Sequence, residues 1–225
     1  MPERQKLLRG FESFYQKYYE DSDLMDKLVH SGANPEFFII HCIDPRSGAG
    51  KLFDADPGTL FGDRVMAALV PPYKKGSDFS ASFSYAIKQK QIKHLIILGH
   101  TECGGIQALA QDIDDPEIAG WMKHNKKAFK KASKTLPDGH EQAILRETER
   151  QAIILSLKNL LTYPVVKQAF LDGKITLNGW LFDMKAGAIF GYEAGNGNFE
   201  RLTHLQETAK ANPHIHCGYG TKKGI

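Results

Sequence analysis

Cysteine is scarce in this chain. Among 225 residues there are three, Cys42, Cys103 and Cys217. Three thiols cannot build the disulfide framework of a small secreted domain. No apolar run is long enough to cross a bilayer as a helix. Met1–Gly10 is charged and lacks the apolar centre of a secretory signal. Together these absences predict a cytoplasmic protein with no membrane partner. The charge excess is only +3, which points to no polyanionic partner. There is no internal repeat and no low-complexity segment, and the length suffices for one domain with a full core. A phosphate loop is missing too. Ser47-Gly-Ala-Gly-Lys51 resembles one, but that motif needs Gly five residues before its Gly-Lys pair and Ser or Thr after it, where Pro45 and Leu52 stand. A flexible loop is expected there.

What the sequence does have is a pair of similar strand ends. Leu95–Leu98 is a short continuous apolar run, the pattern of a strand buried on both faces. Gly99 breaks it, His100 and Cys103 follow, and Gly104-Gly105 open a helix-like stretch through Ala110. Upstream, Phe37–Ile40 is followed by His41-Cys42-Ile43-Asp44-Pro45-Arg46. In α/β proteins such turns are where sites are built. If the two strands are parallel neighbours, Cys42, Asp44, His100 and Cys103 reach one sheet edge. Two thiolates, an imidazole and a carboxylate make a four-ligand set suited to zinc. The bland alternative is that both cysteines are small buried apolar residues.

Cys42-x-Asp44-x-Arg46 followed by Gly99-His100-Thr101-x-Cys103-Gly104-Gly105 resembles the β-class carbonic anhydrases. The resemblance runs from about Pro35 to Tyr192. It takes in Pro57-Gly58-x-Leu60-Phe61, Ser84-Tyr85-Ala86-Ile87 and Asn178-Gly179-Trp180-Leu181-Phe182-Asp183, and Val70-Pro71-Pro72-Tyr73 is most similar to the plant-type branch. It implies an α/β fold: a central, mainly parallel sheet flanked by helices, with an edge hairpin and N-terminal helices packed outside the sheet. One domain is implied over 1–225, with a helical arm at 1–34, a zinc-binding core at 35–192 and a C-terminal extension at 193–225. The implied activity is reversible hydration of carbon dioxide to bicarbonate by zinc-bound hydroxide, in a homodimer or homotetramer.

The resemblance also assigns residues. Cys42, His100 and Cys103 hold Zn2+. Asp44 is either the fourth ligand or is held off the metal by Arg46, where it orients the attacking oxygen. Gly104 offers a backbone N–H to a bound anion, and Phe61, Met66 and Tyr85 wall the substrate pocket, although each suits a core equally well. The chain departs from the family at three positions. Pro45 replaces a serine, Ala33 a glutamine nine residues before Cys42, and Val65 an asparagine after Arg64. A lost substrate hydrogen bond costs ~1 kcal/mol or more, so these changes bear on turnover and leave the ligands intact.

Elsewhere, Leu7–Tyr19 predicts an amphipathic helix with an aromatic stripe. In the resembled family such helices pack on a partner subunit. Leu60–Val70 predicts a strand, and Ser80–Gln89 and Arg146–Leu161 predict helices. Lys123, Lys126, Lys127, Lys130, Lys131 and Lys134 predict a solvated helix face, with no nucleic-acid partner. A short helix from Val165 should end at Gly173. Ile175–Phe182 and Ala188–Tyr192 predict a hairpin, followed by a loop at Ala194–Asn198. His214, His216 and Cys217 lie close together in a polar tail that offers no element to fix a metal. Two rivals remain: a zinc protein that binds bicarbonate without turnover or hydrolyses another small linear molecule such as carbon disulfide, and a hydrolase with Cys103 as nucleophile and His100 as base.

Overall fold

A computed structural model describes residues 2–111 and 113–203; the His214, His216 and Cys217 group lies outside them. Among the described residues six strands form one sheet in the order β2-β1-β3-β4-β5-β6. They are β1 (Phe37–Cys42), β2 (Leu60–Val65), β3 (His94–His100), β4 (Thr176–Asp183), β5 (Ala188–Glu193) and β6 (Asn198–Arg201). The first four strands are mutually parallel, β5 runs antiparallel to β4, and β6 runs antiparallel to β5. The mainly parallel sheet is as expected, and so is the β4–β5 hairpin. β6 is an addition, pairing Phe199 with Tyr192 at the sheet's outer edge. Its sequence, Asn-Phe-Glu-Arg, has one apolar residue, so periodicity alone gives no strand there.

Continuous apolar runs in β1 and β3 arise because both faces of the sheet are covered. Phe38, Ile40, Leu95 and Ile97 face a core shared with Phe83, Leu157, Leu160 and Tyr163, while Ile39, Ile96 and Leu98 face a second one with Ala49 and Ile189. The helices follow in chain order: α1 (Pro2–Tyr15), α2 (Leu24–Ser31), α3 (Ala49–Leu52), α4 (Asp78–Lys88), α5 (Gly104–Gln107), α6 (Pro116–Met122), α7 (Lys126–Thr135), α8 (Glu141–Leu160) and α9 (Pro164–Leu171). None is long and apolar enough to cross a membrane. All six lysines of the 123–134 segment are exposed, as a solvated face requires.

Helix α8 seats on the sheet through two glycines. A Cβ at Gly99 would lie 2.7 Å from Ile153 Cδ1, and one at Gly179 would lie 2.7 Å from Ile153 Cγ2. Only a bare Cα admits the helix at this distance.

Three expectations need correction. The strand expected at Leu60–Val70 stops at Val65, and Met66–Ala68 forms a 3-10 turn with Ala67 and Ala68 at positive φ. Residues 67–70 are buried because the chain passes under α8: Val70 donates to Ser156 Oγ at 3.2 Å and accepts from Asn159 Nδ2 at 2.7 Å. Ser47–Gly50 is not a flexible loop. Ser47 ends a 3-10 turn, Pro45–Ser47, Gly48 joins it to α3, and Ala49 and Gly50 are the first residues of that helix. Helix α8 begins at Glu141, five residues before Arg146.

The arm of α1 and a π-helical turn, Gln16–Glu20, is tied to the body at Asp56. Tyr18 donates to Asp56 Oδ1 at 2.6 Å, and Lys17 Nζ lies 3.2 Å from the same oxygen. Leu7, Leu8, Phe11, Tyr15 and Tyr19 are exposed.

Candidate metal centre

The strand order places β1 between β2 and β3. The chain leaves β1 toward β2 and crosses back to β3, so the crevice between β1 and β3 at their C-terminal ends is a topological switch point, where open α/β sheets build their sites. Cys42 is the last residue of β1 and His100 the last of β3. Cys103 caps α5 three residues on. Their ligand atoms all lie within 4.8 Å of one another and all three residues are buried. Met66, Ala67, Ile106 and Met122 pack around the cysteines and keep the surroundings apolar.

The electrostatics of this trio fit a cation. His100 Nδ1 pairs with the Thr101 carbonyl at 2.8 Å, which leaves Nε2 as the ring's lone-pair donor. That atom is buried and has no hydrogen-bond partner. A hydrogen bond from Cys103 holds the Cys42 thiol below the usual thiol range against the opposing effect of burial, and the nearby His100 helps. The same interaction, with burial, pushes the Cys103 thiol up. Burial opposes charge on His100, but the Cys42 sulfur and the Thr101 carbonyl outweigh it and raise its pKa. The three groups thus compete for protons to stabilise a buried thiolate. A divalent ion would satisfy all three donors at once.

Asp44 is not in this trio. Arg46 takes both of its oxygens, with Nε 3.0 Å from Oδ1 and Nη2 2.7 Å from Oδ2. That hydrogen bonding holds the Asp44 carboxyl at about 2. Pro45 suits the turn, because Asp44 caps the 3-10 helix by accepting from Arg46 N at 2.9 Å and proline takes its first position. Arg64 donates to the Ile43 carbonyl at 2.8 Å and so steadies the loop after β1. Gly104 is exposed at the start of α5. Met66 lies beside the metal turn, and its Cγ would be 3.3 Å from a Cβ at Gly105. Phe61 and Tyr85 instead meet each other edge to face at 6.2 Å, with Phe61 on the core of the opposite cluster. Within one chain they are not brought to the cysteines. Ala33, half-buried, accepts from Lys90 Nζ at 3.0 Å.

Three residues that sequence reasoning missed complete the surroundings. Glu149 is 3% exposed. Its Oε1 accepts from Cys103 N at 3.1 Å, and burial pushes its carboxyl up to about 7. Arg146 Nη1 lies 3.1 Å from Glu149 Oε2 and 3.2 Å from Glu102 Oε1. The legible signal was an acidic residue on the buried face of α8, one turn from Leu145 and one from Ile153.

A family model described as Carbonic anhydrase matches residues 37–189. A carbonic anhydrase of Pseudomonas aeruginosa is 29% identical over 209 residues, which covers 89% of this chain and 93% of the relative. The solved β-carbonic anhydrase CcaA superposes with a TM-score of 0.82 at 25% identity, over 88% of this chain and 99% of that one. One of two tetrameric β-carbonic anhydrases from Sordaria macrospora superposes with a TM-score of 0.77 at 22% identity, over 85% and 97%. With that match spanning most of its length, and with its thiol–imidazole trio at the sheet's switch point, the chain belongs to the β class of the carbonic anhydrase family.

Proposed function

We propose that this protein hydrates carbon dioxide to bicarbonate, reversibly, with one zinc ion held by Cys42, His100 and Cys103. The observation that carries the reading is the buried trio within 4.8 Å, a three-ligand set that leaves a fourth position for water. The ion supplies Lewis acidity that lowers the pKa of water and so makes a nucleophile of it. The chain's own residues do the rest. Asp44, restrained by Arg46, accepts a hydrogen bond from the attacking oxygen and orients it. The Gly104 N–H, at a helix start, stabilises the anionic product. Met66 and the apolar groups around the cysteines suit a small uncharged substrate.

The cysteine-hydrolase alternative fits poorly. Cys103 is 3% exposed, whereas a nucleophilic thiol must be open to its substrate. Free Cys42 and Cys103, read as ligands, favour a reducing cytoplasmic setting. For assembly we favour a homodimer or homotetramer. The exposed aromatic stripe of α1 supports that reading, and Phe61 and Tyr85 could then wall a pocket from a second copy. The test is metal content and stopped-flow hydration on the same sample, with Cys42→Ala beside it. One zinc per chain with hydration, both lost in the variant, is the expected result. A metal-loaded protein without hydration would leave only the binding function.

A further inference from the structure

We propose that Glu102 is a positioning residue, whose side chain, clasped by Arg146 of α8, sets the backbone carbonyl that aims Arg46 at Asp44. The inference rests on the reading of Asp44 and Arg46 as a restrained pair beside the metal.

Glu102 lies between His100 and Cys103 with φ at +59°. This left-handed region suits glycine, asparagine or aspartate, and other residues persist there only when their surroundings hold them. Here the side chain does the holding. Glu102 Oε1 lies 3.2 Å from Arg146 Nη1 and 3.2 Å from Gln142 Nε2, and Oε2 is 3.5 Å from Gln107 Nε2. Arg146 is fixed in turn by the buried Glu149, 3.1 Å away. On the other side of the turn the Glu102 carbonyl accepts from Arg46 Nη2 at 3.2 Å. That same nitrogen donates to Asp44 Oδ2 at 2.7 Å.

The contacts form one series: helix α8, Arg146, the Glu102 carboxylate, the Glu102 peptide, Arg46 and Asp44. The Arg46 side chain is 57% exposed, so contacts on its inner side decide where the guanidinium rests. If the Glu102 backbone relaxes toward negative φ, its carbonyl swings and Arg46 loses that anchor. Asp44 is then freer to leave Arg46 and take the metal's open position. None of Gln142, Arg146 and Glu102 needs to touch substrate for this to act.

The test compares wild type, Glu102→Ala, Glu102→Gly, Arg146→Lys and Arg46→Ala, each loaded with metal. Two measurements are made: the hydration rate near neutral pH, and azide affinity of the cobalt-loaded protein by visible absorption, which reports the open position directly. Glu102→Ala is expected to keep its metal and lose about tenfold in both, since backbone strain of this kind is worth a decade in a rate or affinity. Glu102→Gly accepts positive φ without strain and should recover most of both. Arg146→Lys, which keeps the charge but replaces the guanidinium whose Nη1 faces both Glu102 and Glu149, should fall between, and it carries the comparison if Glu102→Ala fails to fold. Wild-type values in Glu102→Ala, or equal losses in Ala and Gly, would overturn the proposal. If Arg46→Ala lowers both measurements while Glu102→Ala does not, the restraint on Asp44 stands and the role of Glu102 falls. If Arg46→Ala changes neither, both fall together.

Discussion

The backbone N–H of Cys103 donates to Glu149 Oε1 at 3.1 Å, and that carboxylate is 3% exposed. A metal-binding turn is therefore fastened to the middle of a long helix. Glu149→Ala removes the acceptor and strands the Cys103 N–H in an apolar setting, which should destabilise the fold by about 1–3 kcal/mol. It should also speed metal loss to a chelator. Glu149→Gln keeps an oxygen in place and should lose less. Urea unfolding and metal-release kinetics on the three proteins check this, and equal release rates would contradict it.

Hydration should be weak at neutral pH and climb toward about pH 9. Two thiolates cancel the charge of a divalent ion, so water there is acidified less than at a site of three imidazoles. Asp44, held at about 2 by Arg46, stays ionised throughout that range and pushes the same way. The measurement is the hydration rate constant across the range at fixed ionic strength. A flat or falling profile would contradict this charge assignment.

Tyr163 predicts an alkaline limit on stability. It is 1% exposed, its hydroxyl donates to the Pro71 carbonyl at 3.0 Å, and burial raises its pKa to about 12. In the unfolded chain a tyrosine ionises near pH 10. Between these values the unfolded state binds fewer protons than the native one. The stabilisation is therefore complete below about pH 10 and is lost as pH rises toward about 12, by up to ~3 kcal/mol. Tyr163→Phe should lose less stability between about pH 9 and pH 11 than wild type in urea titrations.

Phe11 is 58% exposed on α1 and stacks on Phe14 at 6.2 Å. If this stripe is covered by a second copy, Phe11→Glu should lower the assembly's mass in light scattering and leave the monomer folded by circular dichroism. An unchanged mass would place the interface elsewhere.

The sheet and the metal trio were legible because they depend on short, local patterns. Apolar runs that end in Gly99 or in Cys42-x-Asp44 give a strand and a turn at once, and parallel pairing needs only that the two strands be neighbours. Residues 66–70 misled because burial under α8 writes the same apolar run as a strand. β6 was silent because an edge strand needs little apolar content. The Glu102, Arg146 and Glu149 group was out of reach for another reason. Glu102 lies more than forty residues before Arg146 and Glu149, which share helix α8, and only the crossing of α8 over β3 brings the three together. The single local hint was a glutamate on a buried helix face.

That crossing makes two distant glycines part of the chemistry. Ile153 rests in the hollow above Gly99 and Gly179, and Glu149 lies one helical turn earlier, roughly 6 Å along the axis. The depth of the hollow therefore sets how far the carboxylate hangs above the Cys103 amide. A hydrogen bond tolerates only a few tenths of an ångström before it weakens, and a methyl group in the hollow displaces the helix by more. The metal centre thus inherits its tolerances from a seat in the middle of the sheet. A chain that kept all three ligands but filled that seat would hold the right atoms at the wrong height.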